Sequence, residues 1–213
     1  MAAKMDKHEL NEPDKLQLFF LRIRAFAGKH RARIYAGGGI FILIALLAGG
    51  WYLYRIYYQT GAGKIYNQII EAAAKTGSPA GDAAAIKGYK DLISRYPRSR
   101  AAVTAYYRLG NLYFGRREYD AAIGAYQNFL RNTSAESDLM PLAYSGLGAS
   151  QEAKNDLNKA LESYDLAMKT RAAPSFEALN YSNIARIYET KKDSVKAAEF
   201  YRKALEKTTD PLM

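Results

Sequence analysis

The sequence predicts an all-α protein in two parts, a single transmembrane helix near the N-terminus followed by a solenoid of stacked helical hairpins. Three observations carry that expectation. Ile34 to Tyr54 runs for 21 residues without a charged side chain, which as a helix reaches about 31 Å and matches a hydrocarbon core of roughly 30 Å. Behind it, Tyr, Leu and small residues recur in the same order with Gly110, Gly148 and Ala185 as markers 38 and 37 residues apart, a period diagnostic of stacked repeats. The chain also has no Cys, and its two His residues, His8 and His30, both precede the apolar stretch. The larger part therefore has no thiolate or imidazole with which to build a metal site, a nucleophile or a general base.

The chain begins with a polar tail. Residues 1 to 12 mix charges and are expected to be disordered, whereas Pro13 to Phe26 is apolar with Arg22 and Arg24 embedded and reads as a helix with Pro at its start. Too short to span, this helix either lies in the cytoplasmic interface, as an amphipathic juxtamembrane element of the tail 1–33, or extends the anchor. The anchor proper is 34–54. Six basic residues lie in the twenty positions before it and two in the twenty after, which orients the N-terminus to the cytoplasm and the rest of the chain to the other side. Arg31 and Arg33 meet phosphates at the near interface, and Trp51, Tyr52 and Tyr54 settle at the far one. A cleaved signal peptide has a shorter apolar core and a small-residue cleavage site. A buried helix of a soluble domain carries polar residues on one face. Neither fits as well as a retained anchor.

Gly61 and Gly63 are expected to break the helix, so that 55–63 forms a linker ahead of a repeat domain at 64–211. The net charge of +10 is uneven: net +4 over residues 1–33, net +6 over 64–131 and net −1 over 132–213. The basic excess flanks the anchor and suits anionic headgroups or an acidic partner. Because the basic residues are scattered along helices of a tethered chain, no nucleic acid is expected.

The repeat is legible position by position. Tyr106-x-x-Leu109-Gly110-x-x-Tyr113 is followed by Ala122-Ile123-x-x-Tyr126-x-x-Phe129-Leu130; Tyr144-x-x-Leu147-Gly148 by Ala160-Leu161-x-x-Tyr164-x-x-Ala167-Met168; and Tyr181-x-x-Ile184-Ala185-x-x-Tyr188 by Ala197-Ala198-x-x-Tyr201-x-x-Ala204-Leu205. Gly, Gly and Ala in the first helices and Ala122, Ala160 and Ala197 in the second permit close approach, and the large residues fill the space between pairs. Polar turns follow each first helix, as at Arg116-Arg117-Glu118. A half-match, Ala85-Ile86-x-x-Tyr89-x-x-Leu92-Ile93, marks a degenerate first hairpin whose first helix is Lys64 to Lys75. Three good hairpins and one atypical one are expected.

From Val103 to Pro211 these residues resemble the tetratricopeptide repeat. They depart from it in having Tyr for the usual first-helix Trp, a longer period, and no Pro closing the middle units. In layout, from the tail ending Phe26-Ala27-Gly28-Lys29 through the Gly49-Gly50-Trp51-Tyr52 end of the anchor, the chain is similar to the YfgM-like family of single-span, translocon-associated periplasmic chaperones. That resemblance implies a bacterial inner-membrane protein with a periplasmic repeat domain. Its partners would be exported clients, translocon components or envelope-assembly factors, and no cofactor is needed. The alternatives are a scaffold or docking factor for envelope assembly or cytochrome maturation, and a self-assembling structural protein.

No catalytic residues emerge, and no enzyme is expected. Gly61-Ala62-Gly63-Lys64 lacks the Ser/Thr and first Gly of a phosphate loop, and Gly146-Leu147-Gly148 lies inside a helix. The tetratricopeptide resemblance instead implies a partner-binding groove on the first helices: Thr104, Tyr107, Asn111 and Phe114; then Leu142, Ser145, Ala149 and Glu152; then Leu179, Ser182, Arg186 and Glu189. Tyr107 and Ser145 stand where a carboxylate clamp would need Lys. An apolar or aromatic segment is expected there, anchored by Tyr107 and Phe114, with Asn111 bonding its backbone. A homo-oligomer remains compatible with the exposed last hairpin.

Overall fold

The computed structural model describes residues 15–76, 78–170 and 176–208; the disorder expected for residues 1 to 12 and the helix start at Pro13 lie outside them. Among the described residues all regular structure is helical, divided between two compact units, Met1–Ile56 and Tyr57–Met213.

The first unit holds α1 (Lys15–Lys29) and the start of α2 (Arg31–Thr76). No residue of α1 is buried. Leu16, Phe19, Phe20 and Phe26 are all more than half exposed, and Arg22 and Arg24 lie among them. Backbone bonding passes the turn at His30, whose N–H donates to Phe26 O while its carbonyl accepts from Ile34, each at 3.0 Å. Among the described residues α2 is the one helix long and apolar enough to cross a membrane, with a mean hydropathy of 1.9 over its most apolar window and none of that window buried.

The second unit corrects one expectation. Gly61 and Gly63 do not break the chain, for α2 continues through residues 55–63 to Thr76. Glycine costs a helix about 1 kcal/mol relative to Ala, and here packing offsets it. Ala62 is fully buried, and a Cβ on Gly61 would stand 3.3 Å from the Tyr96 hydroxyl. The small residues let the helix seat against the first loop of the solenoid.

Four hairpins follow. The end of α2 pairs with α3 (Pro79–Arg95), then α4 (Arg100–Gly115) with α5 (Tyr119–Asn132), α6 (Met140–Ala153) with α7 (Leu157–Met168), and α8 (Glu177–Thr190) with α9 (Ser194–Thr208). Ser78 and Ser99 cap α3 and α4 by accepting from Gly81 N and Ala102 N. The last three hairpins turn identically. Arg117, Asn155 and Lys192 take φ of 61°, 65° and 60°, and the next residue's N–H returns to Tyr113 O, Gln151 O and Tyr188 O at 2.8 to 2.9 Å. This is the Schellman closure, with a left-handed residue just past the helix.

First helices touch one another, α4 with α6 and α6 with α8, whereas among the described residues no such contact joins α3, α5, α7 and α9. First helices therefore form the inner layer. Tyrosine rings wedge between hairpins: a Cβ on Gly110 or on Gly146 would come within 2.5 Å of the Tyr126 ring, and one on Gly148 within 2.8 Å of Tyr164. The apolar core falls into two clusters, one from Ala62 through Tyr89, Leu109, Tyr126 and Phe129 to Leu147, the other around Ala160, Tyr164, Ile184 and Ile187. Buried polar residues, Ser145, Ser150, Gln151, Ser163 and Asn180, lie on α6, α7 and α8.

Candidate protein-binding groove

The inner layer presents a row of polar tips held from behind by tyrosines. In the last three hairpins the second helix carries a Tyr whose hydroxyl donates to a side chain on its own first helix: Tyr126 to Asn111 Oδ1 at 2.7 Å, Tyr164 to Glu152 Oε2 at 3.1 Å and Tyr201 to Glu189 Oε2 at 2.7 Å. The ring is small-residue packing at its base and hydrogen bonding at its tip. Burial pushes the Tyr126 and Tyr164 phenols well above their ordinary value, and the Glu152 charge adds to the effect at Tyr164. Both stay neutral donors.

Two contacts tie neighbouring hairpins across this face. Arg186 grips Glu152 in a two-pronged bond, Nε to Oε1 at 2.7 Å and a terminal nitrogen to Oε2 at 2.8 Å. That bond is the main reason the Arg186 guanidinium binds its proton more tightly than usual. At the other end Arg108 Nε donates to Tyr66 Oη at 3.2 Å. Asn111 accepts from Tyr126 and is itself exposed, which leaves its amide NH2 available for donation.

The residues expected to form the groove divide in three. Asn111, Phe114, Leu179, Arg186 and Glu189 are exposed, and Glu152 is drawn into the same row by Arg186. Tyr107 is half-buried with its ring 6.2 Å from Tyr126 and 5.7 Å from Phe129, so it covers the hairpin as much as it faces outward. Phe114 leans on Tyr119 at 5.8 Å. Thr104 and Ser182 bond to the carbonyls of Arg100 and Ala178 in their own helices, and Leu142 and Ala149 are half-buried.

Ser145 does not join the groove. It is buried, with Oγ 2.7 Å from both Pro141 O and Asn180 Oδ1. One hydroxyl proton serves one acceptor, and the helical carbonyl takes it. The Asn180 amide then closes the contact by turning its NH2 to Ser145 Oγ, which also satisfies the buried nitrogen otherwise left without a partner. Serine at this register is pulled inward by the asparagine of the next hairpin.

Tyr126, Tyr164, Tyr201, Tyr66 and Arg108 were not among the groove residues expected from sequence. The recurrence of Tyr sixteen residues after each small marker was the available signal, read there as packing alone. Among the described residues no three His, Asp or Glu side chains gather in a way that could hold a metal ion.

The residues expected at the membrane interface, Arg31, Arg33, Trp51, Tyr52 and Tyr54, are all exposed on α2, with the Trp51 and Tyr54 rings 6.2 Å apart.

Two family models, both described as tetratricopeptide repeats, match residues 104–132 and 178–206, which are the α4–α5 and α8–α9 hairpins. Solved structures agree. A crystal structure of MamA is 26% identical with a TM-score of 0.56, the match covering 67% of this chain and 78% of that one. MamA from residue 41 to its end, from Desulfovibrio magneticus RS-1, is 19% identical with a TM-score of 0.57 over 70% and 77%. A further MamA structure, from MSR-1, is 16% identical with a TM-score of 0.53 over 73% and 94%. No curated protein matches the sequence. The chain thus carries tetratricopeptide repeats in a solenoid, an architecture whose role is protein–protein interaction.

Proposed function

We propose that this chain is a membrane-anchored adaptor or chaperone that holds an extended segment of another protein along its inner helices. The observation that carries this is the polar row on α4, α6 and α8. Asn111 offers its exposed amide to a peptide backbone, with Phe114 and Tyr107 on the same helix and the Glu152–Arg186 pair on the next two first helices. An incoming segment meets a preformed face, which lowers the ordering cost of binding. In the YfgM-like reading, α2 crosses the bacterial inner membrane, α1 lies in the cytoplasmic interface, and the solenoid stands in the periplasm near the translocon, receiving exported or envelope proteins.

A photo-crosslinking side chain at position 111 tests the groove in cells. Adducts with exported chains or translocon components are expected from position 111 and not from an outer-face position such as Gln127. Loss of adducts in a Phe114→Ala variant with unchanged helicity ties the contact to this face. Protease added to spheroplasts tests the topology, since digestion beyond Tyr58 is expected, and protection until lysis overturns it.

A second reading, self-assembly as a scaffold, is favoured by the last helix. Val195 is 81% and Leu205 64% exposed on α9, at positions equivalent to those where α5 and α7 approach the next hairpin. Crosslinks between copies through α9, with none from position 111, would select that reading.

A further inference from the structure

The loop joining α3 to α4 is held against the part of α2 that directly follows the apolar stretch. Arg98 N donates to Tyr58 Oη at 3.3 Å, Arg100 N donates to Gln59 Oε1 at 3.0 Å, and Gln59 Nε2 reaches Arg98 O at 3.5 Å. The Tyr58 and Tyr96 rings meet edge-on at 5.1 Å. Ser99, fully buried, donates to Tyr96 O and accepts from Ala102 N, which fixes the turn from inside. All these bonds use backbone, Tyr58, Gln59 and Ser99. The guanidinium groups of Arg95, Arg98 and Arg100 are left at the surface.

These three arginines lie within six positions, all exposed. Arg95 stacks over Tyr96 at 5.5 Å, and none of the three pairs with a carboxylate among the described residues. No Asp or Glu occurs between Asp91 and Glu118. Exposed arginine without a counter-charge is a site for an anion.

The chain itself restricts where that anion can be. Tyr58 follows Tyr54, the last residue of the uncharged stretch, by four positions, and four residues span at most about 14 Å even fully extended. The headgroup layer adds roughly 5 to 7 Å beyond the hydrocarbon on each side. The residue that holds the loop, Tyr58, is therefore kept within about one Debye length, roughly 8 Å at physiological salt, of the headgroup layer. We infer that the Arg95–Arg98–Arg100 loop docks on anionic lipid headgroups of the membrane in which α2 is anchored, a lipid contact on the solenoid separate from the anchor and its cytoplasmic flank. The inference rests on the spanning role proposed for α2.

The absence of Cys makes the test direct. In the full chain, Pro97→Cys takes a fluorophore and Ala198→Cys on α9 serves as the distant control. Both are reconstituted into vesicles of phosphatidylcholine alone or mixed with phosphatidylglycerol, each containing a headgroup-linked quencher. Quenching at position 97 is expected to be several-fold stronger in anionic than in neutral vesicles. It should weaken as salt is raised and fall to the neutral level when Arg95, Arg98 and Arg100 are all changed to Gln with the circular dichroism spectrum unchanged. Position 198 should be indifferent to lipid charge. Equal quenching at position 97 in both lipids, insensitive to salt and to the triple change, shows proximity by tether alone and overturns the docking. Absence of quenching in protein that resists alkaline carbonate extraction overturns the docking while leaving the anchor in place. Protein released by carbonate overturns the anchor reading, and the docking with it.

Discussion

Arg117, Asn155 and Lys192 occupy the same left-handed position in three successive turns, yet only Asn155 is of a residue type that visits this region readily. For Arg and Lys the Cβ crowds the following carbonyl at a cost of about 1–2 kcal/mol, and glycine avoids that at the price of a more flexible unfolded chain. Arg117→Gly and Lys192→Gly are therefore expected to stabilise the fold by roughly 0.5–1 kcal/mol each in denaturant titrations, and Asn155→Gly by less. The turns were legible in the sequence as polar triplets, but their handedness was not. A second expectation at this scale concerns the buried phenols. Tyr126 and Tyr164 hold their protons more tightly folded than the ordinary value of 10, so the unfolded chain releases protons first as pH rises. Their contribution is complete below pH 10 and is lost progressively above it. Alkaline unfolding followed by circular dichroism should be displaced upward in Tyr126→Phe, although that change also removes the bond to Asn111 and lowers stability at neutral pH by about 1 kcal/mol.

At the scale of the helix, the small markers do what their spacing announced. Gly110 and Gly146, on α4 and α6, both approach the Tyr126 ring, each leaving only 2.5 Å for an added Cβ. The ring is buried and its hydroxyl is held by Asn111, so Gly146→Ala should cost about 1–3 kcal/mol through overpacking. Gly124 on α5 has nothing within 4 Å of the same position. Gly124→Ala should gain up to about 1 kcal/mol from helix propensity. Opposite signs from one substitution type, read from thermal melts, check the ring's placement. Sequence periodicity found Gly110 and Gly148 because they recur. Gly146 has no counterpart in the other hairpins, and what it accommodates is visible only once α5 and α6 are stacked. Likewise the joint expected at Gly61 and Gly63 rests on composition alone, while the burial of Ala62 and the close approach of Gly61 to Tyr96 decide for helix.

For the molecule as a whole, the repeat order sufficed to find hairpins and inner layer, because each unit repeats the same local rules. The groove was legible only in part. Which hydroxyl supports which acceptor, and why Ser145 turns inward to Asn180, depends on contacts between hairpins that no single repeat encodes. The division of the core has an energetic consequence. One apolar cluster runs from α2 to α6 and is the larger, the other from α7 to α9, and α6, α7 and α8, where they meet, carry the buried serine, glutamine and asparagine side chains. Polar contacts couple neighbours more weakly than packed hydrocarbon does, and repeat arrays lose all-or-none unfolding where one interface is weak. Hydrogen exchange of the second unit in mild denaturant should show α8 and α9 opening before α4 and α5, and coincident exchange across all four would count against the division.

The identical closure of the three turns also makes the solenoid a ruled tape. Glu118 and Asp156 leave equivalent turns through the same hydrogen bond, to Tyr113 O and Gln151 O, so cutting out Tyr119 through Asp156 splices Glu118 onto Leu157 without shifting any face. Gly110 would then receive Tyr164 in place of Tyr126, and Asn111 would stand beside its hydroxyl. Such a shortened chain should still fold, and duplicating the same segment should lengthen the array by one step. A gene encoding this domain can thus change the reach of its product by whole units through unequal exchange, with each splice inheriting a finished joint.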